Sequence, residues 1–459
     1  MSKLILVTGA TGYIASRLIP QLLDRGYTVR ALARNPHCLY SRSWYDKVEI
    51  VQGDVMEPES LKLVLQDVHT AYYLIHNMSH GYGYTKLETH AARNFASAAE
   101  QAGVRHIIYL GGLADNNQPI SPHMRSRMET GAALREGRVP VTEFRASVII
   151  GSGSISFEMI RFMTELFPVI PSHVWLKNWS QPIAIQNVMD YLLAALEKWE
   201  QDDRVLEIGG PEVMTYQDLM RRYARACGHK RGFLFLPYIP VKFMAFGVGL
   251  VTPVPRRIAR ALVRGMSDNS IVKQKNGHEV YPEINLVDFD SALRQALEHL
   301  HPLKIECVWA AGDESPPGQN AQVRVHMLRH EGFFITHTKI MVDAKPERVF
   351  NSIKKLAESL ETRQFVLDTI KPDQLLLLKS QKKIPGKGWL EWSVSQVVMP
   401  STENHLTCLS QTSYFAPRGL PGFLYWYLLY PLHILKCRSY IQGIKRECST
   451  HQKSRTEIT

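Results

Sequence analysis

The residues best suited to chemistry by type and spacing form the run Gly9-Ala10-Thr11-Gly12-Tyr13-Ile14-Ala15. A glycine at 9 permits a tight turn, and one at 12 lets the main chain approach a pyrophosphate. The small Ala15 lets a following helix pack on its strand. An anion would then be held by the free N–H groups and dipole at the helix start. Thr11, Tyr13 and Ile14 complete the expected contact set. A second group is Val29-Arg30-Ala31-Leu32-Ala33-Arg34-Asn35, with no carboxylate at its tip. An NAD(H) site needs Asp or Glu there to accept from the ribose 2′-hydroxyl, whereas arginine suits a 2′-phosphate. Arg34 is therefore expected to take that phosphate and the cofactor to be NADP(H), with Arg30 read as a surface residue. Asp54, in Gly53-Asp54-Val55, is placed to meet the adenine ring; a turn or capping role is the competing reading.

These residues need elements to position them. Residues 4–8 are a short apolar run closed by Gly9, which predicts a buried strand, and Ile14, Leu18, Ile19, Leu22 and Leu23 predict a helix from 12 to 25. Further strands are expected at 28–33, 48–51, 71–75, 106–110 and 141–145, with helices near 86–102 and 123–136. That alternation means βαβ units in a parallel, doubly wound α/β sheet with its ligand across the carboxyl ends of the strands. From 151 to about 308 the pattern turns helical and reads as the substrate-side portion of the same 1–308 domain. Residues 309–323, rich in Gly, Pro and Ser, read as a linker. Residues 324–459 read as a smaller α+β domain, with strands at 333–342, 365–380, 389–398 and 405–414 and a helix at 345–360.

Composition bounds the partners. The chain has 459 residues and a net charge of +11, but the basic residues are spread along it, so nucleic acid is not expected. Six cysteines lack metal-ligand spacing and read as free thiols; no metal site is expected. The N-terminus runs straight into a strand, which predicts a cytoplasmic protein, with contact at the inner face of the membrane the alternative. Residues 419–435 carry no formal charge but include Pro421, Gly422 and Pro431, which argues against a membrane span. They suit either a helix closing a small core or a peripheral membrane contact. Phe243–Pro255 is a shorter apolar run, followed by Arg256, Arg260 and Arg264 on one helical face.

Residues 1–300 resemble the short-chain dehydrogenase/reductase superfamily, in its atypical NmrA-like branch. The resemblance rests on Val7-Thr8-Gly9-Ala10-Thr11-Gly12-Tyr13-Ile14-Ala15, on Val29-Arg30-Ala31-Leu32-Ala33-Arg34-Asn35-Pro36, on Gly53-Asp54-Val55 and on Val139-Pro140-Val141-Thr142-Glu143-Phe144-Arg145. Ile208-Gly209-Gly210-Pro211-Glu212 looks like a substrate-side signature of extended members. The two-domain layout resembles an uncharacterised bacterial group whose tail is START-like, a helix-grip fold able to hold an apolar ligand. The resemblance implies chemistry by Ser, Tyr and Lys. Here the Tyr-x-x-x-Lys positions fall on His123 and Arg127, and the Ser position on Gly111 or Gly112. His123, with an ordinary pKa near ~6.5, is then the expected proton donor, and Arg127 the expected grip on the cofactor. Ordinary helix surface would give the same pair. His76 and His80-Gly81-Tyr82-Gly83-Tyr84 are expected to line the nicotinamide pocket, against a plain surface loop. The expected function is an NADP(H)-dependent oxidoreductase on an apolar carbonyl or quinone-like compound. The alternatives are a non-catalytic NADP(H) sensor or assembly factor, and a lipid-binding protein with a regulatory front half.

Overall fold

The structure is a computed structural model and describes residues 3–39, 42–76, 84–114, 120–198, 201–236, 269–273, 276–299, 301–304, 326–330, 333–361, 364–397 and 406–456. The chain divides into two units, Met1–Cys307 and Val308–Thr459. The expected linker, the run Phe243–Pro255 with Arg256, Arg260 and Arg264, and the stretch from His80 to Gly83 lie outside the described residues.

The first unit is built on seven strands: β1 (Leu4–Val7), β2 (Thr28–Ala33), β3 (Glu49–Gln52), β4 (Thr70–Tyr73), β5 (His106–Gly112), β6 (Val141–Ala146) and β7 (Arg204–Ile208). They pair in the order β7-β6-β5-β4-β1-β2-β3. Every pairing is parallel. The order reverses between β1 and β4, which opens a crevice at their carboxyl ends. Alternation along β1 sends Ile5 and Val7 to one face and Leu6 to the other. Ile5 and Val7 pack with α1 (Tyr13–Asp24) and a later helix, Ile185–Glu197. Leu6 packs with α2 (Pro58–Leu65), α3 (Tyr84–Gln101) and α4 (Pro122–Leu134). A separate apolar cluster, with Phe157, Met163, Tyr223 and Phe289, forms the core of the helical portion.

Arg30 is corrected by the structure: it is 8% exposed, not a surface residue. Its guanidinium donates to Glu49 at 2.8 Å and to the Val64 and Gln66 carbonyls at 2.9 and 2.6 Å. It thereby satisfies the carbonyls that the end of α2 leaves open.

The second unit is an antiparallel sheet with two helices. Its elements are β8 (His326–His330), β9 (Phe333–Asp343), α5 (Pro346–Glu361), β10 (Phe365–Lys371), β11 (Leu375–Ser380), β12 (Gly386–Val397), β13 (Leu406–Pro417) and α6 (Gly419–Thr456). The sheet order is β8-β9-β13-β12-β11-β10. The stretch 365–380 is two strands rather than one, because Asp373, at φ 56°, turns the chain into a hairpin. Residues 419–435 open a 38-residue helix that continues through Pro431. Trp426 stacks between Phe334 and Phe415, at centroid distances of 5.3 and 5.4 Å, and pins that helix to the sheet. Ile441, Ile444 and Cys448 carry the contact on to Val349, Phe350 and Ile353 of α5.

Gly131 shows how a buried charge dictates a residue. Glu143 on β6 is fully buried and paired with Arg135 and Arg145. A Cβ on Gly131, inside α4, would land on the Glu143 carboxylate. Alanine in a helix interior is ordinarily favoured over glycine by about 1 kcal/mol. Here the overlap should win, and Gly131→Ala is expected to destabilise the protein by about 1–3 kcal/mol. Urea unfolding measures this; a variant more stable than the parent would refute the packing argument.

Candidate functional site

The glycine loop closes at the end of β1. Gly9 has φ 65°, and a Cβ there would sit 2.7 Å from the Leu74 carbonyl oxygen beyond β4. Gly12 N donates to Gly9 O at 2.8 Å, so the loop turns directly into α1. No side chain caps the start of α1, which leaves its first N–H groups available to an anion. Ala15 is fully buried against the sheet, as the loop requires, and Ile14 packs on the same core. The ring of Tyr13 is covered by the Arg17 guanidinium at 3.9 Å, and its hydroxyl reaches toward Gly151, where a Cβ would collide with it. These features fit a dinucleotide phosphate.

Arg34 follows β2 directly and is exposed; its carbonyl accepts from Gln52 Nε2 at 3.1 Å. A second arginine, not singled out in the sequence, lies closer to the loop. Arg42 is 5% exposed and donates to Thr11 O at 3.0 Å. Asp54 makes turn contacts, which leave the expected adenine contact open: its Oδ1 accepts from Met56 N at 3.0 Å, and Ser60 Oγ donates to its carbonyl at 2.9 Å.

Beyond β4 and beside β5 the structure brings four side chains together. His76 Nδ1 lies 2.8 Å from Glu88 Oε1 on α3. Ser126 of α4 donates to the other oxygen of the same carboxylate. The rings of His76 and His123 lie 5.0 Å apart. Glu88 is 4% exposed and Ser126 fully buried. His76 Nε2 and His123 Nδ1 are both buried without a hydrogen-bond partner among the described residues. A buried nitrogen of this kind has hydrogen-bonding capacity that a ligand could use. Arg127 packs over the Tyr109 ring at 5.1 Å, and its guanidinium is engaged by the Leu110 carbonyl. Tyr109, in turn, donates its hydroxyl to the Arg127 carbonyl at 2.9 Å.

Burial, then the charges of His76 and Arg127, push His123 down to about 3, so it is neutral at physiological pH. Burial and Arg127 also lower His76, while Glu88 pulls the other way. At the Ser position neither glycine carries a hydroxyl; a Cβ on Gly112 would meet the flexible end of the Met124 side chain at 2.7 Å, and one on Gly111 the Glu143 carboxylate and the Tyr109 ring at 3.3 Å. Glu88 was missed in the sequence. Its signal was phase: it lies three, four and seven residues before Ala91, Ala92 and Phe95, on the buried face of α3. A carboxylate in that stripe needs buried partners.

Residues 1–165 match the model of the NmrA-like family, and residues 342–439 match that of DUF2867, a family of proteins of unknown function. A (4-alkanoyl-5-oxo-2,5-dihydrofuran-3-yl)methyl phosphate reductase of Streptomyces griseus is 26% identical over 273 residues, 57% of this chain and 85% of that protein. Cinnamoyl-CoA reductase 1 of Oryza sativa is 29% identical over 140 residues, 29% of this chain and 40% of its own length. Photosystem II assembly factor Ycf39 of Cyanophora paradoxa is 23% identical over 245 residues, 52% of this chain and 73% of that protein. In fold, the chain is similar to the Citrobacter sp. triphenylmethane reductase solved with NADP(H). That likeness has a TM-score of 0.51 and 20% identity, and covers 64% of this chain and all of that one. The front of the chain thus carries an NmrA-like, NAD(P)-binding domain of the atypical short-chain dehydrogenase/reductase kind, related to reductases, and the tail a DUF2867 domain.

Proposed function

We propose that the front unit binds NADP(H) and reduces an apolar carbonyl or quinone-like compound, with His76 rather than His123 carrying the proton. The observation behind this reading is the His76–Glu88 pair, which sits at the end of the strand next to the one feeding the glycine loop. Bound at that loop, the cofactor would supply the hydride; Gly9, Thr11, Gly12, Tyr13 and Ile14 would hold its pyrophosphate side and Arg34 its 2′-phosphate. A protonated His76 releases its Nε2 proton to the substrate oxygen, whose C=O π pair accepts it. The neutral ring keeps its Nδ1–H on Glu88, which fixes the tautomer. His123 stays neutral and shapes the pocket beside it, and Arg127 orients the end of β5 through Leu110.

A second reading, a non-catalytic NADP(H) sensor or assembly factor, is favoured by the glycines standing at the Ser position, Gly111 and Gly112, and by the similarity to the assembly factor. The proposal also keeps the START-like reading of the tail, as a domain that holds an apolar or lipid-like molecule. Its support is the strand, helix, strands and long final helix of that unit.

Fluorescence titration separates the cofactors. NADPH should bind at least about tenfold more tightly than NADH, and Arg34→Ala should remove that difference, about 1.4 kcal/mol. Equal affinity for both would overturn the assignment of Arg34.

Turnover separates the two functions and the two histidines. With phenanthrenequinone as the probe, His76→Asn should abolish NADPH consumption and His123→Asn should leave most of it. Among the described residues, the groups facing His76 are Glu88 from α3 and His123 and Arg127 from α4. Because the proton comes from an imidazolium lowered below its ordinary value, the rate should fall as pH rises, with a midpoint below about 6.5. Glu88→Gln should move that midpoint further down. Binding without turnover would favour the sensor.

Stability reports on His123 without any substrate. Its folded pKa is lowered to about 3, so its neutral form is common to both states above the unfolded value, and stability is lost as pH falls below that value. Between pH ~6.5 and ~5 the loss should be about 1–2 kcal/mol. His123→Asn should flatten that part of the curve; an unchanged acid slope would refute the burial argument.

A further inference from the structure

We propose that the outward face of α6 docks on an anionic lipid bilayer. The helix has two apolar faces over its first half. One packs inward through Phe423, Trp426, Cys437, Ile441 and Ile444, all buried. The other points away from the unit: Leu420, Leu424, Tyr427, Leu428, Leu432 and Leu435 recur at three- and four-residue spacings, 37–75% exposed. An apolar stripe of that length and spacing is what a helix ordinarily buries. Among the described residues the stripe stays exposed. Beyond Leu435 the same outward face turns polar, with Arg438, Gln442, Lys445 and Arg446 exposed.

Charge selects the occupant. From Arg418 to Arg446 there is no Asp or Glu, and Glu447, the first carboxylate after it, is paired with Lys355. Arg418 stands at one end of the stripe, with Lys436 and Arg438 at the other, all exposed. A second copy laid along the stripe in either direction would bring like charges together at both ends. Anionic headgroups would instead meet them, with the leucines in the acyl boundary and Tyr427 at headgroup level. No helix among the described residues is long and apolar enough to cross a membrane, so the contact is in the plane of the surface. This inference stands apart from the cofactor site.

The test is co-sedimentation of the full chain with vesicles of phosphatidylcholine alone, or with about one third phosphatidylglycerol. The protein should sediment with the anionic vesicles, at least about tenfold more weakly with the neutral ones, and progressively less as salt rises. Leu428→Asp combined with Leu432→Asp should abolish sedimentation while the melting profile stays unchanged, since both side chains are exposed. Lys436→Glu with Arg438→Glu should remove the preference for anionic lipid. Failure of the parent to sediment, or sedimentation indifferent to the paired leucine change, would overturn the proposal. So would a vesicle-free dimer that dissolves on that change, because it would assign the stripe to self-association.

Discussion

The close approach of Gly9 to the Leu74 carbonyl is the contact on which the rest of the first unit's chemistry depends. It brings the end of β1 against the end of β4 at the point where the strand order reverses, and a side chain at 9 would push them apart. The contact is reinforced by Leu74 N, which donates to Thr8 Oγ1 at 3.0 Å, and by Thr8 N, which donates to Tyr72 O at 3.0 Å. Two residues beyond Leu74 comes His76. The backbone spacing at the glycine loop therefore also sets where the imidazole stands. A change at 9 would disturb the proposed anion site and the proposed proton site together.

Buried carboxylates supply the second level of organisation. Glu143 is held by two guanidinium groups, and Glu158 and Glu165 share Arg161, with Tyr223 donating to Glu165 at 2.6 Å. Those pairings neutralise charge and fix one arrangement of helices, and removing one partner would leave an uncompensated buried charge. Glu88 is different in kind, because it is shared between a hydroxyl and an imidazole. An imidazole can change its charge near neutral pH where a guanidinium cannot. That contrast separates the pair proposed for proton transfer at the end of β4 from the ion pairs around it.

The fold of the first unit was legible because its signals are local and periodic: a buried run, a glycine turn and an amphipathic helix, repeated. The tail was legible in its elements and less so in their joints. The turn at Asp373 is made by a non-glycine residue with positive φ, which a polar stretch does not announce, and Pro431 sits in a helix that tertiary packing carries past it. At the site, Gly9, Gly12 and Ala15 could be read from spacing alone. Arg30 and Arg42 could not, since each finds its partners on an element distant in the chain, and for Glu88 spacing marks a buried carboxylate without naming its partners. Arg30 looked like one more basic residue on a strand, until the end of α2 was seen to rest on it.

The pairing of the tail's sheet has a consequence for how the chain is made. Phe334 on β9 lies opposite Phe415 on β13, so two neighbouring strands are joined by residues far apart in sequence. β9 leaves the ribosome while β13 and α6 are still unmade, and until they emerge it has only β8 beside it, with an apolar row and an open edge. The tail's sheet accordingly closes only once translation has passed Pro417, and its core is sealed by α6, which follows. Nascent chains halted before that point would leave open the edge of β9 that β13 covers in the finished protein.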